Sequence, residues 1–240
     1  IDELSADFIN VDEVSMVDMH LAYEFFYKVK AGARVLLVGD VHQLPSVGAG
    51  DVFRQLILCG KIPVTVLNLV YRQGKDSNIP INAQLINEGK TNLQWGDDFQ
   101  MIECSGADAA AQIVKNIYLK EIQVYGMEQV QILSPYKVRS AAGVLELNRS
   151  LQDDVNPPVS GKQELHLGGE IFREGDRILQ NQNTEVASNG DLGTLVQISE
   201  DEDNNPIVQI VFTDGRRVKY EAEQVEMMEH ANAITIHKSQ

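Results

Sequence analysis

The chain has 240 residues, of which 43% are hydrophobic, so it can form one large domain or two smaller ones. Its 20 basic and 35 acidic residues give a net charge of −15, which excludes nucleic-acid binding by the bulk surface and leaves only a local basic groove. No run of residues has the apolar length of a membrane span, and the two distant cysteines exclude a disulfide scaffold. We therefore expect a cytoplasmic protein that makes no membrane contact, with Cys59 and Cys104 buried.

The first predicted element is a buried strand over 8–11, which ends directly in Asp12 and Glu13. Ligands of open α/β sheets bind at the carboxyl ends of parallel strands. Asp12 is thus a candidate for the Mg²⁺ of a Mg–nucleotide, and Glu13 for orienting or deprotonating an attacking water. A solvated turn is the alternative for such a dipeptide taken alone. Because the chain passes from Ile1 almost at once into this strand, we expect a piece of a longer protein.

A helix is predicted over 17–30, with Asp18 near its start and Gly32 just past its end. Its aromatic side chains could form a base-stacking platform, but helical aromatics more often pack in a core, and we expect core packing here. The residues concerned are Tyr23, Phe25, Phe26 and Tyr27.

A second apolar strand is predicted over 34–38, followed by Asp40 and Gln43. Alternating strands and helices of this length favour βαβ units and a parallel sheet. Asp40 and Gln43 should then lie on the same sheet edge as the first acidic pair. Gln43 is long and neutral, so it could donate to a phosphate oxygen while accepting from a water. Residues 48–50 indicate a loop that needs glycine, and not a dinucleotide fingerprint.

Next come a helix over 51–59, capped by Asp51, and a strand over 64–67 that leads to Tyr71 and Arg72. Arg72 could neutralise charge on a transferring phosphoryl group. Tyr71 could stack on a base or simply pack.

A helix over 79–88 ends at Gly89, and the Gly89-Lys90-Thr91 sequence that follows is not a phosphate loop. The first glycine of such a loop would fall on Gln84, within a predicted helix.

The second half of the chain begins with another α/β run. Strands are predicted over 99–103 and 130–133, and helices over 107–121 and near 143–152. A local basic cluster, with solvated surface as its alternative, consists of Lys137, Arg139 and Arg149.

From about residue 170 the pattern changes to short β segments separated by Gly, Asn and Asp turns. These segments are 176–180, 193–198, 207–212 and 217–221, with a hairpin turn at 213–216. They predict a small all-β barrel inserted into the α/β sequence. A buried strand over 233–236 then resumes the α/β pattern.

Five blocks, taken together, resemble the superfamily 1B DNA helicases of the RecD-like group, the family of the exodeoxyribonuclease V alpha subunit. They are Asp12-Glu13-x-Ser15-Met16-Val17-Asp18; Val38-Gly39-Asp40-x-x-Gln43-Leu44-Pro45-Ser46-Val47-Gly48; Tyr71-Arg72-Gln73; Gly175-Asp176-Arg177 through Asn189-Gly190-Asp191-Leu192-Gly193; and Thr235-Ile236-His237-Lys238-Ser239-Gln240.

The resemblance implies an α/β fold class: parts of two RecA-like P-loop NTPase domains with parallel sheets, and an inserted small all-β SH3-like barrel. The implied limits are 1–92 for the first motor domain and linker, 93–169 for the second, 170–229 for the barrel and 230–240 for the second domain resumed. The implied cofactors are ATP and Mg²⁺. The implied partners are single-stranded DNA and other subunits of an exodeoxyribonuclease V-type complex.

The resemblance also implies residue roles. Asp12 would bind Mg²⁺, with Asp40 and Tyr71 also at the nucleotide. Glu13 would activate water, Gln43 would sense the γ-phosphate, and Arg72 would contact it. The implied nucleic-acid contacts are Lys137, Asn189, Thr235, His237 and Lys238.

The family's phosphate-loop motif and DNA-splitting pin domain are expected before Ile1, and its last arginine motif after Gln240. The chain is therefore expected to be a fragment of an ATP-dependent DNA helicase of repair and recombination, inactive alone. Two rival readings stay open: an RNA helicase of the same superfamily, and a non-enzymatic clamp for nucleic acid or protein. The phosphate-facing set Asp12, Glu13, Gln43 and Arg72 argues against a pure clamp.

Overall fold

The computed structural model describes residues 3–67 and 77–239, which divide into two compact units, Ile1–Ile102 and Glu103–Gln240. The finer domain limits at 92, 169 and 229 stay predictions. In the described ranges, no helix has the length and apolar character needed to cross a membrane.

The first unit is built on a βαβ element. Strand β1 (Phe8–Val11) pairs in parallel with β2 (Arg34–Leu37), and helix α1 (Met19–Lys28) connects them. Val11 lies opposite Leu37, so the two strands end at the same level. The parallel α/β organisation expected for this stretch is confirmed.

Two further helices of this unit begin at polar caps. The side chain of Asp51 accepts a hydrogen bond from a backbone amide at the start of α2 (Val52–Leu58), as predicted. The hydroxyl of Ser77 does the same for α3 (Asn78–Asn87). Both caps satisfy amides that have no partner within the helix.

Two predicted strands of this unit are wrong. Residues 64–67 form no strand in the structure, and Leu67 is 89% exposed. An apolar run becomes a strand only when another strand satisfies its backbone, and no described strand pairs with this one. Residues 99–103 also form no strand, because Phe99 bonds back to Gly96 in a local turn.

Several side chains of the first unit are more exposed than the sequence predicts. Tyr23 and Tyr27 are stacked on each other but are 65% and 61% exposed, so their expected core packing is wrong. Cys59, and Cys104 of the second unit, are exposed as well, which corrects their expected burial. The reason on α1 is physical: a sheet of two strands offers too little surface to cover a ten-residue helix.

The second unit opens with α4 (Ala107–Tyr125), β3 (Ile132–Ser134) and α5 (Val144–Val155). The insertion follows. Its elements are β4 (Glu164–Leu167), β5 (Glu170–Arg173), β6 (Arg177–Gln180), β7 (Leu192–Glu200), β8 (Pro206–Phe212), β9 (Arg217–Tyr220), the short helix α6 (Ala222–Val225) and β10 (Met228–His230).

Strands β6 to β10 form an antiparallel sheet of order β10-β6-β7-β8-β9, while β4 and β5 form a separate hairpin. The sheet has its own apolar core, in which Leu195, Val208, Ile210 and Tyr220 are fully buried. The predicted small all-β insertion is confirmed, and so is the hairpin turn between β8 and β9.

After β10 the chain returns to the α/β part as β11 (Ala233–Thr235), which pairs in parallel with β3. A second core forms around this pair from α4 and α5. Its buried members are Tyr118, Ile132, Leu147, Leu151 and Ala233. A short 3-10 helix, Ile236–Lys238, follows β11 directly.

Candidate functional site

The acidic pair of the first unit stands at the carboxyl end of β1. Asp12 and Glu13 are both exposed, and Asp12 Oδ1 accepts a hydrogen bond from the Glu13 amide at 2.9 Å. Glu13 adopts a left-handed backbone conformation, with φ 53° and ψ 39°. A residue with a side chain rarely adopts this conformation, which costs about 1–3 kcal/mol and concentrates at functional sites.

Backbone hydrogen bonds tie the ends of β1 and β2 together. The Val38 amide donates to Val11 O at 2.8 Å, and the Val14 amide donates to Val38 O at 3.0 Å. Asp40 and Gln43 follow in a turn closed by the Gln43 amide on Asp40 O at 3.2 Å. Because the strands are parallel and in register, this turn and the acidic pair lie at the same edge of the sheet.

The loop after that turn packs closely against the start of α1. The Met19 amide donates to Ala49 O at 2.9 Å, and a Cβ added to Gly48 would lie 1.9 Å from Asp18 Oδ2. Asp18 also caps α1 by accepting from the Leu21 amide at 2.8 Å. Gly48 is therefore required for close approach, whereas Gly50 has a positive φ of 102°. Sequence reasoning quoted both motifs without predicting this contact between them.

Tyr71 and Arg72, the remaining predicted nucleotide contacts, lie outside the described residues. The described residues contain no group of three or more His, Cys, Asp or Glu suited to a metal, so a metal ion at Asp12 would have few protein ligands. One carboxylate suits Mg²⁺, which commonly takes only one or two protein ligands and fills the rest with water and phosphate.

In the second unit the structure brings two of the predicted nucleic-acid residues, Lys137 and Lys238, near the carboxylate of Glu229, and a third, Asn189, into contact with Lys238. Lys238 Nζ contacts Asn189 Oδ1, and Lys137 Nζ lies 2.8 Å from Glu229 Oε1. Thr235 ends β11, and His237 lies exposed in the 3-10 helix beside Lys238. The predicted basic cluster of Lys137, Arg139 and Arg149 stays a prediction.

Arg149 pairs with Glu170 and Glu146, which neutralises its charge. It is therefore not available as the free cation that the sequence cluster suggested.

Burial and neighbouring charges alter two of these groups. Burial lowers the pKa of Lys238, an effect that Glu229 opposes and Lys137 reinforces. Burial raises the pKa of Glu229, but hydrogen bonds from Lys137 and Asn181 outweigh it, so this pKa lies below its ordinary value. Glu229 therefore stays ionised at neutral pH.

Buried polar side chains position the chain that leads to Lys238. Asn148 of α5 donates from Nδ2 to His230 O at 2.8 Å and to Ala233 O at 3.0 Å. Its Oδ1 accepts from the Ala233 amide at 2.8 Å. Sequence reasoning missed Asn148, although an asparagine among the apolar positions of a helix is a visible signal.

The Gly175-Asp176-Arg177 block is a structural junction. Asp176 is buried, and it accepts from the side chains of Gln152 and Asn156 at 2.7 Å each. Arg177 is also buried and donates to two backbone carbonyls of the α4–β3 connection, at 2.8 Å each. These contacts fasten the inserted sheet to the α/β part of the same unit.

Comparison with known families matches two parts of the chain. Residues 3–107 match an AAA domain, and residues 147–212 match the SH3 domain of ATP-dependent RecD-like DNA helicases. The ATP-dependent RecD2 DNA helicase of Deinococcus radiodurans is 30% identical over 236 residues, covering 98% of this chain and 31% of that protein. The RecBCD enzyme subunit RecD of Buchnera aphidicola is 23% identical, covering 99% of this chain and 48% of that protein. The chain thus spans less than half of the length of each of these two relatives.

Among solved structures, the Pif1 helicase from Candida albicans superposes with a TM-score of 0.56 at 16% identity, covering 98% of this chain and 63% of that one. Parallel strand pairs flanked by helices, with a small antiparallel sheet inserted, define a RecA-like helicase fold. The SH3 match points to RecD-like DNA helicases, whereas the sequence relatives also include a probable conjugal transfer protein TraA of Sinorhizobium fredii, which is 27% identical and covers 96% of this chain and 21% of that protein. The chain thus combines an AAA-domain match with a RecD-like SH3-domain match, and it is similar in sequence to RecD-type helicases.

Proposed function

We propose that the chain is the part of an ATP-driven DNA helicase that holds the Mg²⁺-binding carboxylate, the water-activating carboxylate and much of the DNA grip. The observation that carries the proposal is the common sheet edge of Asp12, Glu13, Asp40 and Gln43, which follows from the in-register pairing of β1 and β2. The left-handed backbone at Glu13 supports a functional role, because strain of this kind concentrates at functional sites.

At this edge Asp12 would hold Mg²⁺, which when bound neutralises phosphate charge. Glu13 would orient the attacking water and accept its proton. Gln43 would donate to the γ-phosphate, and Asp40, whose Oδ1 accepts from the His42 amide at 2.9 Å, would keep the Gln43 turn in shape. Tyr71 would stack on the base, and Arg72 would stabilise the transferring phosphoryl group.

In the second unit Lys137, Asn189, Thr235, His237 and Lys238 would contact the backbone of single-stranded DNA. Phosphate contacts of this kind carry no sequence information. Binding by an acidic chain through so few cations should be weak and strongly salt-dependent. The Buchnera relative is a subunit of RecBCD, so other subunits of an exodeoxyribonuclease V-type complex are the proposed protein partners.

The test of the nucleotide role is the substitution Glu13→Gln in the intact helicase. DNA-stimulated phosphate release should fall by roughly 10²–10⁴-fold, the usual contribution of a positioned acid or base. Glu24→Gln is the matched control, because Glu24 is an exposed carboxylate on α1 that pairs only with Lys28 in the described part of the chain. Equal rates for both variants would remove Glu13 from the chemistry.

The 240-residue chain alone contains no G-x-x-x-x-G-K-[ST] sequence, so it should show only background phosphate release with Mg–ATP and DNA. Robust release that depends on Glu13 would contradict this. Comparing DNA with RNA as the stimulating strand of the intact helicase separates the DNA helicase from an RNA helicase. No stimulation by either would favour the non-enzymatic clamp.

A further inference from the structure

Glu229 of β10 lies beside Lys137, one of the residues proposed to contact DNA. Its Oε1 accepts from Lys137 Nζ at 2.8 Å and from Asn181 Nδ2 at 3.1 Å. The side chain is 26% exposed, so solvent and ligands can still reach it. Lys238, anchored on Asn189, is close enough for its charge to act on the same carboxylate.

We propose that Glu229 is an internal substitute for a backbone phosphate, which holds Lys137 and Asn181 in their binding geometry until DNA displaces it. The inference rests on the proposed DNA binding and deepens it. It adds Asn181 as a phosphate contact that the sequence did not indicate, and it makes Glu229 a positioning residue that limits DNA affinity.

The chemistry of the contact supports this exchange. Carboxylate and phosphate oxygens both accept short, charge-assisted hydrogen bonds from ammonium groups. A lysine and an amide that converge on one oxygen form a donor pair equally suited to a phosphate oxygen. In the absence of DNA, the negative charge of Glu229 offsets the repulsion between the positive charges of Lys137 and Lys238.

The exchange has a measurable consequence. A phosphate that binds Lys137 must first break an existing ion pair, so Lys137 contributes less to DNA binding than a free lysine would. Each phosphate neutralised on a single strand adds about −0.7 to the slope of log K against log salt. Removing the Glu229 charge should therefore make Lys137 available and steepen this slope.

The experiment titrates the full chain with oligo-dT across a salt series. Glu229→Gln should bind more tightly than the unsubstituted chain at low salt, with a slope steeper by about 0.7. Glu226→Gln is the matched control: it makes the same change in net charge on an exposed residue three positions away, which forms no ion pair among the described residues. It should leave the slope unchanged.

A double variant identifies the cation that is released. Adding Lys137→Ala to Glu229→Gln should return the slope to that of the unsubstituted chain. Adding Asn181→Ala should instead weaken binding without changing the slope, because asparagine carries no charge. A Glu229→Gln slope equal to that of Glu226→Gln overturns the inference and leaves the proposed DNA binding standing. Absence of DNA binding in every variant overturns both.

Discussion

Asn148 offers the sharpest test of how the segment proposed to contact DNA is held. The substitution Asn148→Ala removes one donor and one acceptor group from a side chain that is only 3% exposed. Three hydrogen bonds are lost, two to carbonyls of 230 and 233 and one from the Ala233 amide. Each contributes about 0.5–1.5 kcal/mol net, and backbone groups left buried without partners add to the loss. We expect the free energy of unfolding to fall by about 2–5 kcal/mol.

The assay is urea unfolding followed by far-UV circular dichroism, with hydrogen exchange of the Ala233 amide as the local readout. Asn116→Ala is the control, because Asn116 is exposed on α4 and accepts only from Gln112 among described side chains. A difference between the two variants below about 1 kcal/mol, with the Ala233 amide still protected, would refute the role assigned to Asn148.

Three further predictions test other parts of the chain. Gly48→Ala should displace Asp18 and lower the free energy of unfolding by about 0.5–2 kcal/mol, the usual value of a helix cap. Thermal melting of the single and double variants should show that this loss does not add to the loss caused by Asp18→Ala. Burial lowers the pKa of His230 below its ordinary 6.5, so the unfolded chain binds the proton more readily than the folded chain does. The free energy of unfolding should therefore fall as the pH drops below 6.5, and urea unfolding at several pH values should show a weaker pH dependence for His230→Gln. Arg72→Ala should reduce ATP turnover of the intact helicase by roughly 10³–10⁵-fold, with little recovery in Arg72→Lys, and near-normal turnover in both would make Arg72 structural.

The sequence was sufficient for elements whose pattern and surroundings agree. Residues 8–11 and 34–37 are mostly apolar and are followed within two residues by Asp12 and Gly39, and the two segments pair in parallel. The run at 64–67 has the same apolar character but finds no such partner in the described chain, so pattern alone was misleading there. The predicted core packing of the α1 aromatic side chains was wrong for a related reason, because burial depends on which elements pack against a helix.

Contacts between distant residues were beyond sequence reasoning. Lys137 and Glu229 are 92 positions apart, and nothing in either local sequence indicates that they pair. Two members of the predicted basic cluster, Lys137 and Arg149, form ion pairs with glutamates that are distant in sequence, and a count of local charges cannot show this. In contrast, the acidic pair and the Asp40–Gln43 turn were predictable, since strand ends in a parallel sheet share an edge.

The junction at Asp176 has a mechanical consequence. The chain leaves the α/β part after α5 and returns to it through β10 and β11, and both crossings are pinned by buried side chains. At the segment that leaves the α/β part, Asn156 and Gln152 donate hydrogen bonds to Asp176. At the segment that returns, Asn148 accepts a hydrogen bond from the Ala233 amide. Hydrogen bonds at both ends of the insertion restrict its motion relative to the α/β part of the same unit. We expect the antiparallel sheet to move with β3 and β11 as one rigid body. A displacement of these two strands would then also move the tip of the β7–β8 hairpin.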